Sequence, residues 1–300
     1  MSDLSVEKRV KFDFEIEFFN GGGIQGQDFR LDIEGDDIDD KALAEMIVAD
    51  MRLLMVGEVR ILNKAIITQP HKRSDSARLE HGQTCIDCSH VVEDGLVTYK
   101  GLPAPIICDY LSREESRKRY AEGTEFHIGK IEMVANTGTY LDSPFHRYAD
   151  GKDLSELPLS SVANLDGIVI RASERLSRAI DKSAFADVDV WGKAVLVDTG
   201  WDQHWKTDQY FEQHPYLTAD AAEFLVKAGA KLVGIDSMNI DNTDTGERPV
   251  HTILLGADIP IVEHLCDLSH VPNGNFKFFG VPVKVKGMGT FPIRAFALVG

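Results

Sequence analysis

Cysteine is scarce, with four residues in 300. That is far below the density that staples small secreted folds, and a chain of this length closes a hydrophobic core without staples. Basic residues are outnumbered. Lys and Arg total 32 against 48 Asp and Glu, a formal net charge of −16, which repels phosphate backbones and anionic lipid and argues against nucleic-acid or membrane-surface partners. No run approaches the roughly 18 to 20 apolar residues that cross a bilayer. The stretch Met1 to Lys8 holds no apolar signal core, so the expectation is a soluble cytoplasmic protein. There is no GxSxG elbow, HExxH pair, P-loop or kinase signature, which lowers the serine-hydrolase, zincin and phosphotransfer classes. Internal repeats and low-complexity segments are also missing.

What remains has globular proportions, 43% hydrophobic and 27% charged, enough for one large domain or two modest ones. Val10, Phe12, Phe14, Ile16 and Phe18 alternate with polar residues, the period of a strand with one buried face. Phe29, Leu31 and Ile33 repeat the pattern, and the glycines between Gly21 and Gly26 read as a hairpin turn rather than a dinucleotide loop, because a strand pattern follows them. Asp39 or Asp40 is placed to cap a helix with a buried stripe of Leu43, Met46, Ile47, Met51 and Leu54. Val59 to Ile67 reads as a further strand. The first 77 residues are therefore expected to form a small ββαβ unit of unassigned role, joined by a polar linker from Gln69 to Ala77 to a second domain over residues 78–300. In that domain the short apolar runs 167–170, 194–197 and 231–235 read as buried strands, with a helix from Thr218 to near Gly229, giving an α/β fold with a mixed sheet.

Cys85 and Cys88 form a CxxC within an apparent strand over Thr84 to His90, which puts their thiols on opposite faces and removes a shared role. Cys108 and Cys266 read as buried small residues. The segment Asn136-Thr137-Gly138-Thr139-Tyr140-Leu141-Asp142-Ser143-Pro144-Phe145-His146-Arg147 is richer. Asn136, Tyr140, Asp142 and His146 are separated by even steps, so an extended backbone turns all four to one side, and Pro144 takes the segment out of a regular strand into a loop. His251 and Glu263 bracket a short apolar strand and are a second candidate pair. His127 could line a pocket, Trp201 could wall a flat substrate, and Arg147 and Arg294 could meet a substrate carboxylate, each with packing or surface pairing as the alternative. Asp236 and Asp241 could support these groups or cap loops.

Asn136 to His146 resembles the HxGTHxDxPxH hallmark of the metal-dependent cyclase family, which includes bacterial kynurenine formamidases and isatin hydrolases. Gly138, Thr139, Asp142, Pro144 and His146 match it in frame. Ile86-Asp87-Cys88-Ser89-His90 is similar to the family's opening segment. Thr199-Gly200-Trp201-Asp202, Gly234-Ile235-Asp236, His251 twelve residues before Glu263, and Pro292-Ile293-Arg294-Ala295 follow in order. The resemblance covers about residues 84 to 299. It implies a cyclase-like swivelling β/β/α domain, usually a homo-oligomer, that hydrolyses an amide, imide or lactam bond of a small molecule with metal-activated water. By position, Asp142, His251 and Glu263 are implied as metal ligands and His146 as the catalytic histidine.

Asn136 and Tyr140 stand where the family has two histidine ligands. An amide oxygen is a weak ligand and a phenol must lose its proton, so one Zn²⁺ or Mn²⁺ per site is expected rather than two. Tyr140 is then expected to donate a hydrogen bond to a developing oxyanion, and Asn136 to hold substrate. The alternatives are a lyase, dehydratase or isomerase on the same fold, with little or no metal, and a non-catalytic binding protein.

Overall fold

The computed structural model describes residues 6–33, 35–51, 53, 55–70, 83–173, 175 and 177–300. The chain divides into two compact units, Met1–Ser76 and Ala77–Gly300.

In the first unit, β1 (Val6–Phe18) pairs antiparallel with β2 (Gly23–Asp32) and β3 (Val56–Pro70), in the order β2-β1-β3. The hairpin turn uses Gly21 and Gly22 at φ +84° and +89°, a region open to glycine without a steric cost. α1 (Asp40–Asp50) starts at Asp39, whose carboxylate accepts the Ala42 N–H, relieving one of the free donors at a helix start. Leu43 and Ile47 pack on Val10, Phe12, Phe14 and Ile16. The buried stripe is narrower than its spacing suggested. Met46 is partly exposed and Met51 lies beyond the last turn, because a helix of three turns reaches the sheet with one row of side chains. The Leu54 side chain falls outside the described residues, as does the linker beyond Pro70 as far as Ala77's neighbour Ser76 and on to residue 82.

The second unit contains β4 (Thr84–Asp87), β5 (Ile106–Leu111), α2 (Arg113–Arg117), β6 (Ile128–Glu132), β7 (Tyr140–Asp142), β8 (Leu165–Arg171), β9 (Ala179–Ile180), β10 (Ala194–Asp198), β11 (Tyr216–Leu217), α3 (Ala219–Lys227), β12 (Leu232–Ile235), α4 (Pro249–Gly256), β13 (Ile261–Glu263), β14 (Phe276–Phe279), β15 (Thr290–Pro292) and β16 (Phe296–Val299). Nine of these strands form one sheet in the order β15-β7-β13-β12-β10-β8-β14-β16-β4. The centre, β13-β12-β10-β8, is parallel and the flanks are antiparallel. Central strands carry apolar runs because both faces are covered. Val195 and Val197 face α3 and α4, while Ala194 and Leu196 face Leu265, Phe276 and Phe278 on the other side. α3 begins after Thr218, whose hydroxyl turns to Asp220 and the Ile180 carbonyl instead of capping the helix.

β5 and β6 form a separate two-stranded ribbon. Cys108 lies on it and is exposed, contrary to the buried setting expected of it, because this ribbon carries no layer over that face. Cys85 is half-buried, and Cys88 and Cys266 are buried; none is in a disulfide. β4 ends at Asp87, so Cys88 falls just outside the strand.

Candidate active site

The site is built where the sheet changes from parallel to antiparallel. β7 lies between β13 and β15, and the register sets Tyr140 beside Glu263 and Asp142 beside Thr290. Cross-strand partners share a face, and so do residues two apart on one strand. Tyr140, Asp142, Glu263 and Thr290 therefore emerge together, and Leu141 and Val262 turn the other way into the core. α4 covers the same face and brings His251 in its first turn. His146 arrives differently from the even-step expectation. Pro144 opens a 3₁₀ turn, Pro144–His146, directly after β7, and this turn rather than an extended strand carries the imidazole back over Asp142.

Asp241 fixes His251. Its carboxylate accepts the Val250 N–H at 2.8 Å, the His251 N–H at 3.0 Å and the His251 Nδ1–H at 2.7 Å. It caps α4 and orients the ring in one stroke, leaving Nε2 as the free nitrogen. That nitrogen lies 3.6 Å from Asp142 Oδ2 and 3.6 Å from Glu263 Oε1, too far for hydrogen bonds. Asp142 Oδ2 is buried and has no hydrogen-bond partner among the described residues. Glu263 is held by the Ile240 N–H at 2.7 Å and by the Tyr140 hydroxyl at 2.5 Å.

The electrostatics follow from burial. Burial alone would lower His251, but Glu263, Asp142 and Asp241 outweigh it and raise the imidazole to about 10. Burial pushes Glu263 up, and the nearby Asp142 adds to this against the pull of His251. Burial, then Glu263 and Asp142, pushes the Tyr140 hydroxyl well above the ordinary phenol range. Tyr140 keeps its proton and spends it on Glu263, so the hydrogen bond expected from it to a substrate oxyanion is not what this geometry offers. Its hydroxyl steadies the buried Glu263 carboxylate.

Two overlapping trios could hold a cation. Donor atoms of Asp142, His146 and His251 lie within 4.8 Å of one another, and a second set replaces His146 with Glu263, whose Oε1 lies 3.6 Å from His251 Nε2 without belonging to that mutually close group. The donor set suits a divalent ion. It is rich in buried carboxylate, it includes an oriented imidazole, and it leaves one carboxylate oxygen orphaned, which an unpaired buried charge does not tolerate without compensation.

A cavity of about 280 Å³ opens onto this floor, lined by Asn136, Tyr140, His146, Arg147, Tyr99 and Arg248 among others. Asn136 thus reaches the site as expected. Trp201 and His127 do not line it. Trp201 donates its indole N–H to the Tyr210 carbonyl, and His127, exposed and just before β6, lies beside Asp109 of β5 at 2.8 Å. Arg294 is likewise paired with Asp87, whereas Arg147 stays at the cavity. Asp236 accepts the Thr199 and Gly200 N–H groups and holds that loop. Sequence spacing missed Thr290, Asn239 and Arg248. No local motif marks Thr290 and Arg248, since strand pairing and a helix start bring them in.

The family model Cyclase, described as "Putative cyclase", matches residues 86–242. The chain belongs to the cyclase family. Cyclase-family relatives include the kynurenine formamidase of Bacillus anthracis, 28% identical over 220 residues spanning 70% of this chain and 95% of the relative. The kynurenine formamidase of Bacillus cytotoxicus is 26% identical over 220 residues, with the same coverage. Among solved structures, an isatin hydrolase bound to the product analogue thioisatinate superposes with a TM-score of 0.62 at 20% identity, covering 72% of this chain and 92% of its own. The structure of a potential metal-dependent hydrolase with cyclase activity gives 0.56 at 24% identity over 73% of this chain and 98% of its own. These cyclase-like structures share the α/β fold with its mixed sheet.

Proposed function

We propose that this cyclase-family chain is a metal-dependent hydrolase that cleaves an amide, cyclic imide or lactam C–N bond of a small molecule. The orphaned, buried Asp142 Oδ2 facing His251 Nε2 carries the reading, and the kynurenine formamidase and isatin hydrolase relatives support it. Asp142, His251 and Glu263 would hold one Zn²⁺ or Mn²⁺, being buried with each carboxylate 3.6 Å from His251 Nε2, while the partly open His146 can exchange protons with solvent. A divalent ion there supplies Lewis acidity, polarising the substrate carbonyl and easing deprotonation of water.

The chain's own groups do the rest. His146 takes a proton from the attacking water and returns it to the leaving nitrogen as the C–N bond breaks, so that water and amide become acid and amine. Tyr140 and Asp241 hold Glu263 and His251 in place. Asn136 and Asn239 offer amide groups to the substrate's polar atoms.

Arg147 and Arg248 add a charge preference. Neither has a carboxylate partner among the described residues. Arg147 is held through Nε by Thr252 Oγ1, and Arg248 by the carbonyls of Asn242, Thr245 and Glu247. Two guanidinium groups on a cavity of a strongly acidic chain favour a substrate that bears a carboxylate. The exposed ribbon residues Ile106, Tyr110, Ile128 and Ile131 support a homo-oligomer, because a two-stranded ribbon alone is marginal in water.

The deciding experiment strips the protein of metal, reloads it with Zn²⁺ or Mn²⁺, and assays formanilides, cyclic imides and lactams, with and without a carboxylate. Turnover lost on stripping and restored on reloading is the expected result. A metal-free preparation working at full rate on its preferred compound would overturn the reading.

A further inference from the structure

Thr290 stands between two groups of the site and belongs to neither. It sits on β15, opposite Asp142 in register, and is 4% exposed. Its hydroxyl oxygen is within hydrogen-bond reach of Asp142 Oδ1 and lies 2.7 Å from His146 Nδ1. The direct separation of His146 Nδ1 from Asp142 Oδ1 is 3.6 Å, which is too long for a hydrogen bond. The carboxylate and the imidazole therefore communicate only through the threonine.

A hydroxyl has one proton to give and lone pairs to receive. An ionised carboxylate can only accept. Thr290 must donate to Asp142, so its oxygen must accept from His146, and His146 must carry its proton on Nδ1. His146 Nε2 makes no hydrogen bond within the protein among the described residues, and it becomes the unprotonated nitrogen of a ring that lines the cavity.

We propose that Thr290 is a positioning residue that locks His146 in the Nδ1–H tautomer and so makes Nε2 the proton acceptor. A neutral imidazole accepts at only one of its nitrogens, and the bond made by the other selects which. Asp142 then serves two masters: Oδ2 faces His251, and Oδ1 orients His146 through the threonine hydroxyl. The neighbouring residue reinforces the arrangement. A Cβ on Gly289 would lie 2.3 Å from His146 N, so only glycine lets this strand approach closely enough for Thr290 to reach the ring. The effect on turnover rests on the hydrolase reading, whereas the tautomer does not.

The test reads the tautomer directly. The full-length protein, loaded with Zn²⁺ and labelled with ¹⁵N-histidine, is examined at about pH 8 by two-bond ¹⁵N–¹H correlation, with His146 assigned from the spectrum of His146→Gln. The wild-type protein should show His146 as Nδ1–H alone. Thr290→Val keeps the shape and removes the hydroxyl; the ring should shift toward Nε2–H, and Thr290→Ser should restore the wild-type pattern. Bound zinc should change little in all three. If an amide substrate is found, kcat should fall by roughly 10- to 100-fold in the valine variant with KM within about twofold, and recover in the serine variant, as for loss of an orienting partner. A wild-type His146 in the Nε2–H form overturns the proposal, as does a valine variant with an unchanged tautomer. Absence of turnover on every amide, with the tautomer behaving as stated, would count against the hydrolase reading alone.

Discussion

At the scale of single residues, the proposed mechanism separates groups that hold from groups that move a proton. His146 is the one imidazole of the cluster with an open face, and removing it should disable chemistry without disturbing the floor. His146→Ala is expected to lower kcat by roughly 10²-fold or more, with bound metal and melting behaviour unchanged; steady-state kinetics beside elemental analysis checks this. Tyr140 acts in the opposite way. Tyr140→Phe leaves Glu263 Oε2 with one long contact to Asn239, 3.4 Å. Burying that carboxylate oxygen without its donor should cost about 1–3 kcal/mol of stability in metal-free protein and weaken metal affinity roughly 10- to 100-fold, read by urea denaturation and metal titration. Tyr140, Asp142 and His146 were legible in the sequence because they lie within seven positions of one another. Thr290 was not. It lies 148 residues from its partner Asp142, and only the pairing of β15 with β7 joins them.

At the scale of elements, α4 depends on one carboxylate. Asp241 satisfies two N–H groups of its first turn and the ring of His251, so a substitution should loosen helix and ligand together. Asp241→Ala is expected to cost about 1–2 kcal/mol as a lost cap and to cut metal affinity roughly 10- to 100-fold. Asp241→Asn, which keeps an acceptor, should retain most of the stability but less of the affinity. Paired denaturation and calorimetric titration distinguish these losses. The central strands β8, β10 and β12 were readable as apolar runs because a strand covered on both faces has no alternation to hide it. β7, β13 and β15 were harder. Each is three residues long, and their polar members look like loop until the register aligns them. Trp201 misled for a related reason, since an indole near a family-like motif gives no sign of which way its ring turns.

At the scale of the whole molecule, buried neutral imidazoles tie the fold to pH. His90 stacks on Trp205 with ring centres 3.8 Å apart, and burial, with Lys206 nearby, lowers it to about 4. A group depressed on folding contributes stability above its unfolded value near 6.5, and that contribution is lost as pH falls toward 4. Unfolding free energy should therefore drop by about 3 kcal/mol from this group between pH 7 and pH 4, and His90→Gln should flatten that part of the profile; denaturation curves across this range give the slope. Other buried carboxylates add their own slopes, so the comparison between variant and wild type is the informative quantity. The division into units at 76 and 77 falls where the polar segment after Ile67 suggested a joint, a compositional break that needs no motif to be seen.

The three side chains proposed to hold a cation, Asp142, Glu263 and His251, come from β7, β13 and α4, and β7 is remote in sequence from the other two. An ion held there would act as a rivet through sheet and helix at once. Occupancy should then register as heat resistance: an ion at a hundredfold excess over its dissociation constant adds about 2.7 kcal/mol to the folded state. A chelator would soften the molecule before any assay of its chemistry was begun.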